Sequence, residues 1–373
     1  MIKRIYLDNY KCFVNFDWKP GSLQLMVGEN GAGKTTVFNV LETLREFIVS
    51  GLPTSEAFPA STLTAWDTRS EQTIGLELEG NGGEYRYQLT IEHNREQRKS
   101  RIESELLRHD QIVLYKYDGK DVHLHRDDGS AGPVYPFDWS RSAIPTIAPR
   151  PDNSRLTWFR ERMERVYVFS PDPLRMTAQS DAELEKPDRR LHHLASWLRH
   201  LLQESVDLGT GLRDSLREGV LGGFQDFKLE RAGETARTLK FDFDYSRDTN
   251  GSSARPFTLS FDKLSEGQRC LVALFTILHA AIDRDATVCV DEPDNFVALR
   301  EIQPWLVRLR DRVMDGGGQC LLVSHHPELI DYLAAQHGQL FFREDAGPIS
   351  VKPFGWTKDD AISPSEIVAR GWE

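Results

Sequence analysis

The chain has 373 residues, 39% of them hydrophobic, enough for one large domain or two smaller ones around a substantial core. No apolar run approaches the ~20 residues needed to span a bilayer, and a formal net charge of −11 argues against indiscriminate nucleic-acid binding while leaving room for a local basic groove. Four cysteines (Cys12, Cys270, Cys289 and Cys320) are scattered without metal-ligand spacing and read as reduced thiols of a cytoplasmic protein.

Strand-like segments open the chain: Ile2 to Leu7, Phe13 to Trp18 and Leu23 to Val27. Met1 to Tyr6 alternates as a strand does, unlike a signal peptide. Residues 28 to 36 then read Gly-Glu-Asn-Gly-Ala-Gly-Lys-Thr-Thr and fit the phosphate-loop pattern G-x-x-x-x-G-K-[ST] from Gly28 to Thr35. Small residues let backbone N–H groups turn inward around phosphates. Asn30, Gly31, Ala32, Gly33 and Thr36 are therefore expected to cradle them, with Lys34 as the point charge for the β/γ-phosphates and the Thr35 hydroxyl as a Mg²⁺ ligand. Val37 to Phe47 predicts a helix with Val37, Val40, Leu41, Leu44 and Phe47 on one face, its N-terminus aimed at the anion. A Gly-rich turn with a chance lysine would lack this strand–loop–helix context.

Ser50 to Ser70 reads as an irregular connection. Thr73 to Glu79 and Tyr85 to Glu92 alternate around Asn81-Gly82-Gly83, which predicts a hairpin. Ile112 to Tyr117 and Val122 to His125 predict another around Asp118-Gly119. The basic runs Arg95 to Arg108 and Arg155 to Arg165 are interleaved with acids and read as solvated helix faces. Val122-His123-Leu124-His125 reads as an exposed strand face rather than a two-histidine metal site, and Phe241 to Tyr245 as an amphipathic strand rather than paired catalytic carboxylates. Residues 126 to 155 read as loop. Val166 to Phe169 predicts a short strand, Leu191 to Leu202 and Leu212 to Leu221 helices, and Phe224 to Tyr245 and Thr258 to Phe261 strands. From Glu266 onward helix and strand alternate: helices 266–282, 299–314 and 327–334, strands 287–290 and 320–323. This predicts an α/β fold with a mostly parallel sheet, together with an antiparallel β lobe made by the hairpins of the first half.

Three further motifs sit on these elements. Leu264-Ser265-Glu266-Gly267-Gln268 precedes a helix. Thr287-Val288-Cys289-Val290-Asp291-Glu292-Pro293 is an apolar strand ending in two carboxylates, of which Asp291 suits Mg²⁺, directly or through water, and Glu292 suits a general base for the attacking water. Leu321 to His326 is an apolar strand ending in His325, placed to sense a γ-phosphate. Singly, a carboxylate pair at a strand end is more often a helix cap and Ser-Glu-Gly a turn.

Together, in this order, the motifs resemble the ATP-binding-cassette ATPase class, in its soluble RecF, SMC and OLD-like branch. The resemblance covers roughly residues 1–125 and 255–345. It makes Gly28–Thr35 the Walker A loop, Asp291 and Glu292 the Walker B acid and catalytic base, Ser265, Gly267 and Gln268 part of the signature, and His325 the switch histidine. It implies ATP and Mg²⁺ as ligands. It also implies a homodimer in which the signature of one head caps the nucleotide held by the other. The segment Asp294 to Leu299 departs from the usual D-loop: Asn295 is the candidate for signalling across the dimer, and Asp294 reads either as metal-adjacent or as a cap of the next helix. Gln72 and Gln179 are candidates for the Q-loop glutamine, and Asn9-Tyr10-Lys11 resembles the position where repair-type heads place a basic residue near the nucleotide, or is simply a turn.

The expected organisation is an N-terminal lobe over 1–125, an inserted arm over 126–255 and a C-terminal lobe over 256–373. Without sustained heptads the arm is compact, not a long coiled coil. The ~50 residues after His326 are too few for a nuclease domain. The resemblance to stand-alone OLD/AAA-type ATPases implies an ATPase subunit of an anti-phage defence or toxin module, acting on a separate nuclease or toxin. The alternative is a RecF-like ATPase of recombination and repair that contacts DNA.

Overall fold

The computed structural model describes residues 1–218, 220–245, 255–343, 347–356 and 362–371. In chain order these form β1 (Ile2–Asp8), β2 (Phe16–Trp18), β3 (Leu23–Val27), α1 (Lys34–Arg45), α2 (Thr54–Ala57), β4 (Glu71–Gly80), β5 (Gly83–Asn94), β6 (Lys99–His109), β7 (Ile112–Tyr117), β8 (Asp121–His125), β9 (Ala131–Pro136), α3 (Ser154–Glu164) and β10 (Val166–Phe169). There follow β11 (Gln179–Ser180), α4 (Leu194–Glu204), α5 (Val206–Arg217), β12 (Phe224–Arg231), β13 (Arg237–Tyr245), β14 (Arg255–Ser260), α6 (Glu266–Ala280), β15 (Thr287–Asp291), α7 (Leu299–Met314), β16 (Gln319–Val323), α8 (Pro327–His337), β17 (Gly338–Arg343), β18 (Ile349–Pro353) and α9 (Pro364–Arg370). The chain divides into two compact units, Met1–Val168 with Ile330–Glu373, and Phe169–Leu329. The segment read as an inserted arm is shared: 126–168 lies in the first unit and 169–255 in the second, with 246–254 outside the described residues.

In the first unit an eight-stranded sheet runs β2-β1-β4-β5-β6-β7-β8-β9, all neighbours antiparallel. The β4–β5 hairpin turns at Asn81 (φ 49°) and Gly82 (φ 79°), both left-handed, as the tight turn between right-twisting strands requires. Alternation puts Ile74, Leu76, Leu78, Tyr85, Tyr87, Leu89 and Ile91 inside. Tyr85 stacks on Trp158 of α3 at 4.7 Å, and Tyr87 on Phe159 at 5.6 Å. The run Arg95 to Arg108, expected as a helix face, is instead mostly β6: its charges alternate with buried Ser100 and Ile102 and, past a register shift opposite Thr90 and Ile91, with buried Glu105 and Leu107, a period of two on either side of the shift rather than 3.6. The region read as loop, 126–155, contains β9. In the same unit β3 pairs in parallel with β17, and β17 antiparallel with β18.

The second unit pairs β15 with β16 in parallel. It also carries a small antiparallel sheet in which β13 meets β12 along one edge and β11 and β14 along the other. Phe224, Phe227, Phe241 and Phe261 form its buried aromatic layer. Asp242 on the outer face ion-pairs with Lys228 at 2.9 Å and accepts from Thr258 Oγ1, so β13 is amphipathic as expected. Helix α6 is buried almost continuously from Cys270 to His279. Among the described residues the longest helix is α7, with 16 residues, about 24 Å at the α-helical rise, and there is no coiled-coil arm.

Candidate functional site

The phosphate loop leaves β3, whose five residues are all buried. Gly28 has φ 136°, and a Cβ there would lie 2.1 Å from the Phe341 carbonyl oxygen of neighbouring β17, so backbone touches backbone. Gly33, left-handed at φ 81°, caps α1, and a Cβ on it would meet Phe13 at 2.8 Å and Cys12 Sγ at 3.0 Å. Helix α1 then begins at Lys34 with no capping side chain and no acid in its first turn. No side chain of its own first turn therefore competes with an anion for its positive end. The buried Lys34 donates from Nζ to the carbonyls of Gly28 at 2.6 Å and Glu29 at 2.9 Å, and Ala32 N closes the turn on Glu29 O at 3.2 Å. Asn30, Gly31 and Thr35 are exposed and Thr36 half-buried. This donor set fits a polyphosphate.

The turn at Asn9-Tyr10-Lys11 lies beside this loop through Cys12 and Phe13. Asn9 (φ 55°) and Lys11 (φ 50°) are left-handed, and Tyr10 and Phe13 exchange backbone hydrogen bonds at 3.0 and 2.8 Å. Burial pushes the Cys12 thiol up, and the Thr36 hydroxyl hydrogen-bonds with it. On the loop's other flank a cleft of about 480 Å³ runs between Glu29–Ala32 and the β17–β18 hairpin, with Arg343 and Lys352 on its wall. Sequence reasoning missed these two cations because they follow every motif, and only the β3–β17 pairing brings them to the loop.

In the second unit β15 is buried throughout and ends in Asp291, level with Val323 of β16. Glu292 is exposed and left-handed at φ 51°; its N–H donates to Val323 O at 2.8 Å, and its Oε2 accepts from Asn295 Nδ2 at 2.5 Å. A strained backbone at a carboxylate is a frequent mark of a functional position. Asp294 does not cap α7, whose N-cap is Ala298 without a side-chain bond. It is buried beneath Ser324, burial holds its carboxyl above the usual range against the Ser324 hydrogen bond, and its Oδ1 has no partner among the described residues. Ser324 Oγ also accepts from His326 N at 2.9 Å, which shapes the turn that exposes His325. Arg189, which no motif marks, places Nη2 3.8 Å from Asp291 Oδ2, held there by Ser170 N donating to its carbonyl at 2.9 Å.

Ser265 caps α6 in a reciprocal box: its Oγ accepts from Gln268 N at 3.2 Å, and Gln268 Oε1 accepts from Ser265 N at 3.0 Å. The Gln268 side chain is therefore committed to the cap. At Gly267 a Cβ would lie 2.9 Å from Phe296 O, and Cys270 Sγ donates to Pro293 O at 3.5 Å, so the segment after Glu292 packs on the start of this helix. Ser265 itself is exposed. The two glutamine candidates differ. Gln72 is fully buried and donates to Asn9 O at 2.9 Å, whereas Gln179 is exposed and bonds Asp181. His123 pairs with Asp118 at 2.9 Å, and among the described residues no group of three or more His, Cys, Asp or Glu could hold a metal.

These features give the chain the fold of an ABC-class ATPase head of the SMC and RecF-like kind, a mixed α/β head with an antiparallel lobe. Residues 25–331 match the family described as "AAA domain, putative AbiEii toxin, Type IV TA system", and the chain belongs to that family. Among solved structures it is similar to an SMC head bound to the C-winged helix domain of ScpA (TM-score 0.55, 11% identity, 94% of this chain and 96% of that one). It is also similar to an SMC head with an extended coiled coil bound to the C-terminal domain of ScpA derived from Pyrococcus furiosus (TM-score 0.50, 10% identity, 94% and 95%). No curated protein sequence matches it significantly. Among the described residues no helix is long and apolar enough to cross a membrane.

Proposed function

We propose that the chain is a cytoplasmic, Mg²⁺-dependent ATPase that dimerises on ATP and controls a separate nuclease or toxin, as the ATPase subunit of an anti-phage defence or toxin module. The observation that carries the ATPase reading is the phosphate loop, with buried Lys34 and an uncapped α1 N-terminus on one concave turn. Lys34 exchanges its contacts to the Gly28 and Glu29 carbonyls for β/γ-phosphate oxygens, and the loop N–H groups hold the rest. Mg²⁺, when bound, neutralises phosphate charge, with the Thr35 hydroxyl and Asp291 as its protein ligands. Glu292, oriented by Asn295, takes the proton of the attacking water. His325 senses the γ-phosphate. Ser265, Gly267 and the start of α6 present their donors to the nucleotide of a second copy, an arrangement consistent with the exposure of Ser265.

Two things support a partner. The family description names a toxin–antitoxin system, and both similar heads are described as bound to a domain of another protein. The surface that would report the ATP state is the segment from about 126 to 255. The test pairs two variants. Lys34→Ala should weaken binding of a labelled ATP analogue by roughly two orders of magnitude, the loss of a charged contact to each of two phosphates. Glu292→Gln should bind ATP normally, turn over at least ~10²-fold more slowly and accumulate as a dimer by light scattering. Undiminished binding in folded Lys34→Ala would remove the loop assignment, and a Glu292→Gln chain that stays monomeric in saturating ATP would remove the dimer.

A further inference from the structure

The segment that brings Arg189 to Asp291 is fixed far more firmly than the contact it delivers. Ser170 N donates to the Arg189 carbonyl at 2.9 Å, Asp172 N to that of Arg190 at 3.0 Å and Thr177 N to that of His192 at 3.1 Å, so the two stretches run side by side. The Asp188 carboxylate accepts from the backbone N–H groups of Arg190 at 3.1 Å and of His192 and His193 at 3.2 Å. Leu191, 1% exposed and left-handed at φ 56°, is a strained position that only firm surroundings keep. The side chains of Arg190 and His192 turn to Asp172 and that of His193 to Asp188, whereas Arg189 turns to Asp291.

The contact itself is loose. At 3.8 Å, Arg189 Nη2 and Asp291 Oδ2 are beyond hydrogen-bond distance, so charge attraction holds this pair of atoms and no bond breaks when they part. Asp291 is a carboxylate at the end of a buried strand, with its side chain 12% exposed, and Mg²⁺ takes oxygen donors of this hard kind. A guanidinium and a divalent cation repel each other at one carboxylate, so each lowers the affinity of the other for it. A movement of Arg189 also has somewhere to go. His193 is the N-cap of α4, which follows directly and packs on α5 and α6 in the same unit. Helix α6 is the one that begins beside Ser265.

We propose that Arg189 is a positioning residue that competes with Mg²⁺ for Asp291 and, in giving way to the metal, moves residues 188–193 and the start of α4. This rests on the reading of Asp291 as a Mg²⁺ ligand made above. It names the residue through which the segment from 126 to 255 senses the nucleotide, a two-state element biased by differential contacts. Two readouts on the full chain test it, neither of which needs turnover. One is the Mg²⁺ concentration giving half-maximal binding of a fluorescent, non-hydrolysable ATP analogue. The other is hydrogen exchange of peptides covering 188–193, with the analogue present and either Mg²⁺ or EDTA added. Mg²⁺ should speed exchange in the wild type. Arg189→Gln should abolish that response and lower the half-maximal Mg²⁺ concentration roughly threefold to fivefold, the upper range for a partly exposed ion pair. Arg189→Lys, which keeps the charge, should behave nearly as the wild type. Damage to the fold would raise the Mg²⁺ requirement rather than lower it, and the Arg189 side chain is 26% exposed, so Arg189→Gln should fold. Asp291→Asn should raise the requirement. If it does not, the metal-ligand reading fails and this inference with it. If it does, but exchange in the wild type ignores Mg²⁺ or Arg189→Gln leaves either readout unchanged, this inference alone is overturned.

Discussion

Glu292 is held by its own backbone. The left-handed φ of 51° turns its carboxylate away from the direction β15 would otherwise give it, and Asn295 then fixes Oε2. The sequence pointed to Asn295 as a residue signalling to the other head, whereas in the fold its amide also holds the Glu292 carboxylate, the base of the proposed function. Asn295→Ala should therefore slow ATP turnover by about tenfold, the range expected when one hydrogen bond to a charged group is lost, and leave ATP-analogue affinity unchanged. Single-turnover kinetics beside Glu292→Gln checks it: an Asn295→Ala chain with wild-type chemistry would show that the contact is incidental. Arg189 belongs to the same scale. Its guanidinium stands 3.8 Å from the Asp291 carboxylate, yet no spacing in the sequence links a residue about a hundred positions upstream to that strand end.

At the scale of elements, Gly28 and Glu105 show how a site is held by its surroundings. An alanine at 28 would combine an unfavourable φ with a Cβ 2.1 Å from the Phe341 carbonyl. Gly28→Ala should cost on the order of 3 kcal/mol, adding backbone strain to overpacking. Gly31→Ala, with open space around it, carries the strain alone. Thermal denaturation should rank the two, and equal losses would mean that the β3–β17 contact does not matter. Glu105 is fully buried and accepts from Tyr87, Tyr115 and Ser142, each at 2.8 Å. Burial holds its carboxyl above the ordinary 4.5, against the pull of those three donors. Between that value and the raised one the native chain binds more protons than the unfolded chain, so this group makes stability fall as pH rises through the window and adds no slope above it. Glu105→Gln should flatten the pH dependence of the urea midpoint there, and an unchanged slope would show that another group sets it. The hairpins and the start of α6 were readable beforehand, the first from the local turn signal Asn81-Gly82; the reciprocal cap of α6 by Ser265 and Gln268, though equally local, was not read. β6 was misread because the charges of Arg95 to Arg108 hid an alternation that only the paired strands β5 and β7 bury.

For the whole molecule the prediction concerns output. With Mg²⁺ or Mn²⁺ the purified chain should hydrolyse ATP slowly and leave linear, nicked and supercoiled DNA intact, since no carboxylate cluster of nuclease type stands among the described residues. Cleavage that survives further purification and disappears when acids of this chain are replaced would move the effector into the chain itself. Tight junction-specific DNA binding without a partner would favour the RecF-like role. By itself the sequence determined the class of machine. Phosphate loop, signature, carboxylate pair and terminal histidine each lie within a few consecutive residues, because their chemistry requires strand-to-helix turns that adjacent residues encode. Tertiary structure alone decided what surrounds them: Arg343 and Lys352 beside the loop, Arg189 at Asp291, and Asp294 buried under Ser324. These neighbours are distant along the chain, and strand pairing and burial, which join residues without regard to their separation in sequence, bring them together.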